Sequence, residues 1–288
     1  MEWVNSIVQG ILLGGLYALF AAGLSLIFGV MRLVNVAHGD LIVLAAFLGL
    51  VVTQSLGMHP IASLLIVIPL MAIIGYVLQR GILNFTLGDD ILPPLLVTFG
   101  LSVIIQNSLL EIFTADNRKM SAGDFETMSI TVTEGLNIGV MPLVVFIIAI
   151  VVIAGLQWVF YRTALGRAFR ATSDNQAIAQ LMGLNNRHIF GIAMALSLVV
   201  VAIAGVFLGI RTSFDPSVGP ARLIYGFEAV IIGGLGNLWG TLAGGIILAV
   251  SQNIGAQINP GWQILAGHIA FLVVLAIRPK GLFPRMEG

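Results

Sequence analysis

The chain has no cysteine among its 288 residues. It therefore forms no disulfide and carries no thiol nucleophile, and its redox compartment leaves no mark on the sequence. Charge is scarce as well. Asp, Glu, Lys and Arg make up 9% of the residues, where soluble domains carry about 25%. The phosphate loop G-x-x-x-x-G-K-[ST] is missing, so the chain has no such cradle for ATP. No second His or Cys stands at metal-ligand spacing from His268, and no nucleophile–base pair is visible, which argues against an enzyme. Met1-Glu2-Trp3 has neither a positive n-region nor a cleavage site. The first apolar run is therefore expected to be a retained span.

What is present is apolar. Hydrophobic residues make up 58% of the chain, and the mean hydropathy is +1.05. No compact soluble fold hides that much apolar surface, so the chain reads as an integral membrane protein. A helix needs about 20 apolar residues to cross the hydrocarbon core. Candidate spans fall at 5–29, 40–57, 60–79, 91–113, 141–161, 190–210, 223–237, 240–258 and 263–277, with 40–57, 223–237 and 263–277 short. The expected fold is an all-α polytopic bundle of about 8–10 transmembrane helices, some short or broken, forming one membrane domain over 1–288.

Basic residues set the orientation. Arg32, Arg80, Arg162, Arg167, Arg170, Arg187, Arg278, Lys280 and Arg285 share one side, against Arg118, Lys119, Arg211 and Arg222 on the other. The positive-inside rule places the first set in the cytoplasm, with the C-terminus inside and the N-terminus outside. Loop 114–140 is then external, and its "MSITVT" (128–133) alternates as a short hairpin strand does. Loop 162–189 is cytoplasmic.

Within that cytoplasmic loop, "SDNQAIAQLMGLN" reads as a short helix. Asp174 serves as N-cap and Gly183 as left-handed C-cap. Ala177, Ile178, Leu181 and Met182 share an apolar face. So short a helix is marginal alone. Its face packs on the ends of the chain's own helices, lies in the lipid interface, or enters a groove on a cytoplasmic partner.

Polar groups at membrane depth are costly and usually line a bundle interior or a pathway. In "NVAHGDL" (35–41), Gly39 permits a turn and Asp40 caps the next helix. Asn35, His38, Gly39 and Asp40 then either sit in a cytoplasmic turn or break a helix along a solute path, where a helix N-terminus suits a carboxylate. "TSFDPSVGPARL" raises the same choice on the other side. Asp215, Pro216 and Ser217 are either part of a transport site or a rigid external turn. Glu228 lies inside a span, so it needs a partner, water or a proton. Gln106, Asn107 and His268 read as helix-bridging groups. Gly236, Gly240 and Gly244 form a small-xxx-small series for close helix packing.

Five blocks carry a resemblance: "NVAHGDL", "GRAFRATSDNQAIAQLMGLN", "FDPSVGP", "GGLGNLWGTLAGG" and "RPKGLFP". In this order they resemble the smaller permease type of the branched-chain amino acid ABC transporter family, across essentially the whole chain. The resemblance implies an importer permease of the bacterial inner membrane. It makes the 174–183 helix a coupling helix seated on an ATPase subunit. It also implies a second homologous permease, two ATP-binding cassette subunits that hold ATP and Mg, and a periplasmic solute-binding protein. This chain would bind no cofactor, metal or nucleic acid. The "FDPSVGP" turn would contact the binding protein. The solutes implied are branched-chain or other amino acids, urea or amides, and organic acids. In that family the position of Glu228 is usually small or apolar, which makes Glu228 a candidate for selectivity or for contact with the partner permease. A secondary transporter is the alternative, and it would need an ion site for which Glu228 and Asp40 are the plausible pair. No filter-like loop supports a channel.

Overall fold

The computed structural model describes residues 2–88, 90, 92–133 and 136–283. Eleven α-helices occur among them: α1 (Glu2–Met31), α2 (His38–Leu56), α3 (Leu64–Gly81), α4 (Leu92–Phe113), α5 (Val140–Arg162), α6 (Ala164–Asp174), α7 (Gln176–Leu181), α8 (Asn186–Arg211), α9 (Gly219–Gly233), α10 (Leu238–Ile258) and α11 (Gln263–Ile277). The loop 114–140 folds back as an antiparallel hairpin of β1 (Ser129–Thr133) and β2 (Leu136–Gly139). Arg285, used above in reading the orientation, lies outside the described residues.

Every expected span is a helix, and among the described residues eight helical segments are long and apolar enough to cross a membrane, the last being α11 with the turn 260–262 before it. The ninth, α9, has 15 residues. At 1.5 Å per residue it reaches about 22 Å, short of the roughly 30 Å hydrocarbon core. The expected 223–237 span is therefore a helix too short to cross on its own.

The reason lies in two breaks. Arg32 adopts a left-handed φ of 53° and ends α1. The chain then re-enters the bundle without helix until His38. His38 donates from Nε2 to the Phe20 carbonyl at 2.8 Å, and Phe20 lies about 16 Å back along α1 from Met31. The start of α2 is thus inside the bundle, and the reading of 35–40 as a surface turn is corrected. The second break, after Arg211, leads α9 in from the opposite end. The first turns of α2 and α9 meet. A Cβ on Gly39 would overlap the Gly219 carbonyl, and one on Gly219 would overlap the Asp40 carboxylate.

The long helices α1 and α8 are buried over most of their length. Helix α1 packs along α10 and carries α9, while α8 packs along α3 and carries α2. The helices of one half thus find their partners in the other half, with α1, α2 and α3 corresponding to α8, α9 and α10. Small residues allow these approaches, since lipid supplies no hydrophobic force between helices. A Cβ on Gly14 would come 2.5 Å from the Ile246 Cα, and one on Gly75 2.8 Å from the Met194 oxygen. Outward faces of α3, α4, α5 and α11 expose Leu65, Ile73, Leu96, Ile104, Val151 and Leu272, as suits contact with lipid tails.

The ends sort into two sides. Gln9 donates to the Asn137 carbonyl at 2.8 Å, which puts the start of α1 beside the hairpin. At the far end of α1, Ser173 donates to the Gly29 carbonyl at 2.9 Å. There too Leu282 and Phe283 pair with the Ile232 and Gly233 carbonyls.

Candidate functional site

Where the first turns of α2 and α9 meet, Asn35, His38, Gly39 and Asp40 are all buried. Asp40 is not the cap expected of it. It lies in the first turn of α2, whose N-cap position is Ala37, and its carboxylate turns sideways to α4. Ser102 donates to Oδ2 at 2.5 Å and Gln106 donates to Oδ1 at 2.9 Å. Asn35 does the local work instead, its Oδ1 accepting from the Ala37 amide at 3.1 Å. Gly39 is needed for the contact with Gly219 and not for a turn, since it sits within α2. The His38 ring leaves Nδ1 buried with no partner. Gln106 bridges helices as expected. Asn107 does not: it bonds back to the Val103 carbonyl in its own helix at 2.8 Å.

Glu228 lies on α9, buried, and its Oε1 is paired with His268 Nδ1 on α11. His268 is thus the helix-bridging donor expected. Asp40 and Glu228, the pair an ion-coupled carrier would use, have separate partners.

Two elements replace the single helix expected in the cytoplasmic loop. Thr163 caps α6, accepting from the Gly166 amide at 3.1 Å, and Asp174 is the last residue of α6. The cap of α7 is Asn175, which accepts from the Ile178 amide at 3.0 Å. The assignment of Asp174 as N-cap is therefore off by one residue. Gly183 does turn left-handed, at φ 86°. Ala177, Ile178, Leu181 and Met182 all face outward, with Ile178, Leu181 and Met182 57%, 87% and 79% exposed. They do not pack on the chain's own helices. The element is held from behind, where Ala179 is buried, Asn186 donates to the Gln176 carbonyl at 2.8 Å and Arg170 donates to the Phe160 carbonyl. A cavity of about 370 Å³ lies beside it, lined by Gln180, Leu184, Asn185 and Arg187 among others.

On the opposite side, Asp215 Oδ1 accepts from the Ser217 amide at 2.7 Å and from the Ser217 hydroxyl. Pro216 is buried, which leaves Asp215 and Ser217 as the accessible members of that turn. Gly240 and Gly244 press on Gly233 and the Ala229 carbonyl, but Gly236 lies outside α10 in a turn at φ 77°. The helical packing series is thus Gly240 and Gly244 with Gly233 across from them. Among the described residues, no group of three His, Asp or Glu is placed to hold a metal ion.

The sequence matches, over residues 6–277, the family described as "Branched-chain amino acid transport system / permease component". It is 26% identical to the high-affinity branched-chain amino acid transport system permease protein BraD of Pseudomonas aeruginosa, over 99% of this chain and 97% of that protein. It is 24% identical to the LivH permease protein of Escherichia coli K12, over 100% of this chain and 97% of LivH. A partial match, 27% identical, covers 43% of this chain and 29% of the LivM permease protein of the same organism.

Proposed function

The chain belongs to the family of permease components of branched-chain amino acid transport systems, and from that premise we propose that it forms half of the translocation pathway of an ATP-driven importer. The solute is a branched-chain or other small amino acid, handed over by a periplasmic binding protein. The observation that supports the ATP-driven reading is the outward apolar face of α7, which stays exposed among the described residues. A helix of that kind buries its face in a groove on another subunit, here an ATPase that holds ATP and Mg. The missing phosphate loop in this chain agrees with an ATPase on another chain.

A second homologous permease completes the pathway. Escherichia coli LivH and LivM, both similar to this chain, are named for one transport system. Asp215 and Ser217 face the side where the binding protein docks. The side of α7, with most of the Lys and Arg, faces the cytoplasm of a bacterial inner membrane. Asn35, His38, Gly39 and Asp40 belong to the pathway wall, where they hold the junction of α2 and α9, and Glu228 lies further along α9, paired with His268.

The test is uptake by the chain reconstituted with its partner permease, ATPases and binding protein. ATP-dependent amino acid uptake is expected. Uptake driven by a proton or sodium gradient with no ATPase present would sink the proposal.

A further inference from the structure

Ser25 of α1 is 1% exposed, and its hydroxyl is buried with no partner among the described residues. A serine within a helix usually bonds back to its own backbone or turns to solvent. This one borders a cavity of about 560 Å³, which Gly29 also lines, at the end of α1 that Ser173 ties to α6. Gln157 and Tyr161 of α5, Arg170 of α6, and Asn237 and Trp239 at the start of α10 line it too. The Asn237 amide is already spent. It accepts from the Gly240 amide and donates to the Phe283 carbonyl, each at 2.9 Å. Arg170 lies over the Tyr161 ring, 5.4 Å from its centroid. Among the described residues its side chain makes one hydrogen bond, to the Phe160 carbonyl. A guanidinium carries five donors.

An unsatisfied buried polar group calls for a reason. Three kinds of donor border this one space: the Arg170 guanidinium, the Ser25 hydroxyl and the Gln157 amide. No Asp or Glu lines it among the described residues, so the guanidinium charge is not answered from within the lining. A cation would be repelled, and an apolar solute would leave the donors without partners. An oxyanion satisfies them, and phosphate matches the forked donors of arginine. The surroundings show where the phosphate comes from. Val151, Trp158 and Tyr161 are exposed, and at i, i+7 and i+10 they form one outward stripe on α5. Tyr161 ends that stripe at the cavity, and Trp239 is exposed beside the same space. Exposed Tyr and Trp of this kind sit at the head-group level of a bilayer. A bare phosphate ion fills a small part of the volume, whereas a phosphate with its glycerol fills more.

We propose that this cavity between α1, α5, α6 and the start of α10 binds the phosphate head group of an anionic phospholipid from the leaflet on the α7 side. Arg170 receives the phosphate oxygens, and Ser25 and Gln157 donate to the same group. Tyr161 and Trp239 flank the head group with rings that are apolar at one end and polar at the other. A zwitterionic head group would bring its own cation next to the guanidinium and binds less well. Helix α6 leads directly into α7, so a bound lipid braces the base of that element. The site lies apart from the junction at Asp40, and it does not depend on the solute or on the importer reading.

The test is native mass spectrometry of the full chain, delipidated in an uncharged detergent and titrated with lipid. The probes are dioleoyl phosphatidylglycerol, dioleoyl phosphatidylcholine with the same tails, and inorganic phosphate. The first phosphatidylglycerol should bind more tightly than the first phosphatidylcholine, and equimolar inorganic phosphate should not displace it. Arg170→Gln should weaken phosphatidylglycerol about tenfold or more, as loss of a hydrogen-bonded charge implies. Ser25→Ala should weaken it about two- to tenfold, the range of one neutral hydrogen bond. Arg162→Gln removes the same charge from an exposed residue outside the lining and should leave the affinity unchanged. If Arg170→Gln fails to fold by gel filtration, Arg170→Lys keeps the charge without the fork and should give an intermediate loss. Equal affinity for the two lipids overturns the site, as does wild-type affinity in both Ser25→Ala and the Arg170 variant. An equal loss in Arg162→Gln and Arg170→Gln shows general surface charge only and overturns it too. Displacement by equimolar inorganic phosphate assigns the cavity to a free anion and overturns the lipid.

Discussion

Asp40 sits where two helix N-termini point at one another. Its carboxylate belongs to the first turn of α2 and lies against Gly219, the first residue of α9. Each N-terminus gains about 0.3–1 kcal/mol from a nearby negative charge, and more when partly buried. Ser102 and Gln106 take up the remaining lone pairs. Asp40→Asn keeps the shape and removes the charge. It should cost about 1–3 kcal/mol, read as an earlier thermal transition of the purified permease, and an unchanged transition would show that the charge does not stabilise the junction. Gly39→Ala should cost a similar 1–3 kcal/mol by overpacking against the Gly219 carbonyl. Gly100→Ala, which meets nothing within 4 Å, is the control and should leave the transition where it was or raise it. The residues of this junction were visible in "NVAHGDL", but their roles were not. Turn and cap rules look a few positions along the chain, and the true partners of Asp40 lie 62 and 66 positions away.

At the scale of elements, α7 is legible by its apolar spacing, and its cap is misread by one residue because α6 precedes it directly. Two adjacent helices sharing one polar run offer both Asp174 and Asn175 as caps, and composition does not choose between them. Leu181→Glu tests the face. A side chain 87% exposed should leave stability within about 0.5 kcal/mol, while solute should no longer stimulate ATP hydrolysis in the assembled transporter. Normal stimulation would show that the docking face is elsewhere. The loop 114–140 offers a pH test. Lys119 bonds to Glu126 at 2.6 Å and, with the Ala122 amide, holds that carboxyl below the usual glutamate range. A depressed folded value means that the tie is present at neutral pH and is lost as pH falls through it. Proteolysis within 114–128 should therefore quicken only in acid, below the ordinary glutamate value of about 4.3. Glu126→Gln should remove the pH dependence.

Across the whole molecule, the number and order of helices follow from hydropathy, but the exchange of partners between halves does not. The halves share a helix order and not a residue pattern, so α9 was read as a short span when it is a helix too short to cross, entering from a break. Hydropathy measures the length of an apolar run and is blind to the depth at which a helix starts. Depth and side are open to direct test because the chain has no native cysteine, so single cysteines report without background. Ile130 lies on the hairpin and Leu181 on α7, both exposed, while Ala37 is fully buried between them. The start of α1 is tied to the hairpin and its end to α6, so the two exposed sites must open to different compartments. With the positive side inside, Ile130→Cys should react with a membrane-impermeant maleimide in sealed cells stripped of their outer barrier. Leu181→Cys should react only in inverted vesicles. Ala37→Cys should react in neither until the protein is unfolded. Labelling of Ala37→Cys from the cytoplasmic side of the folded protein would return the 32–37 segment to the surface, and with it the shorter reading of α2. Labelling of Ile130→Cys and Leu181→Cys from one side would break the helix parity on which the assignment of the ATPase and binding-protein faces depends.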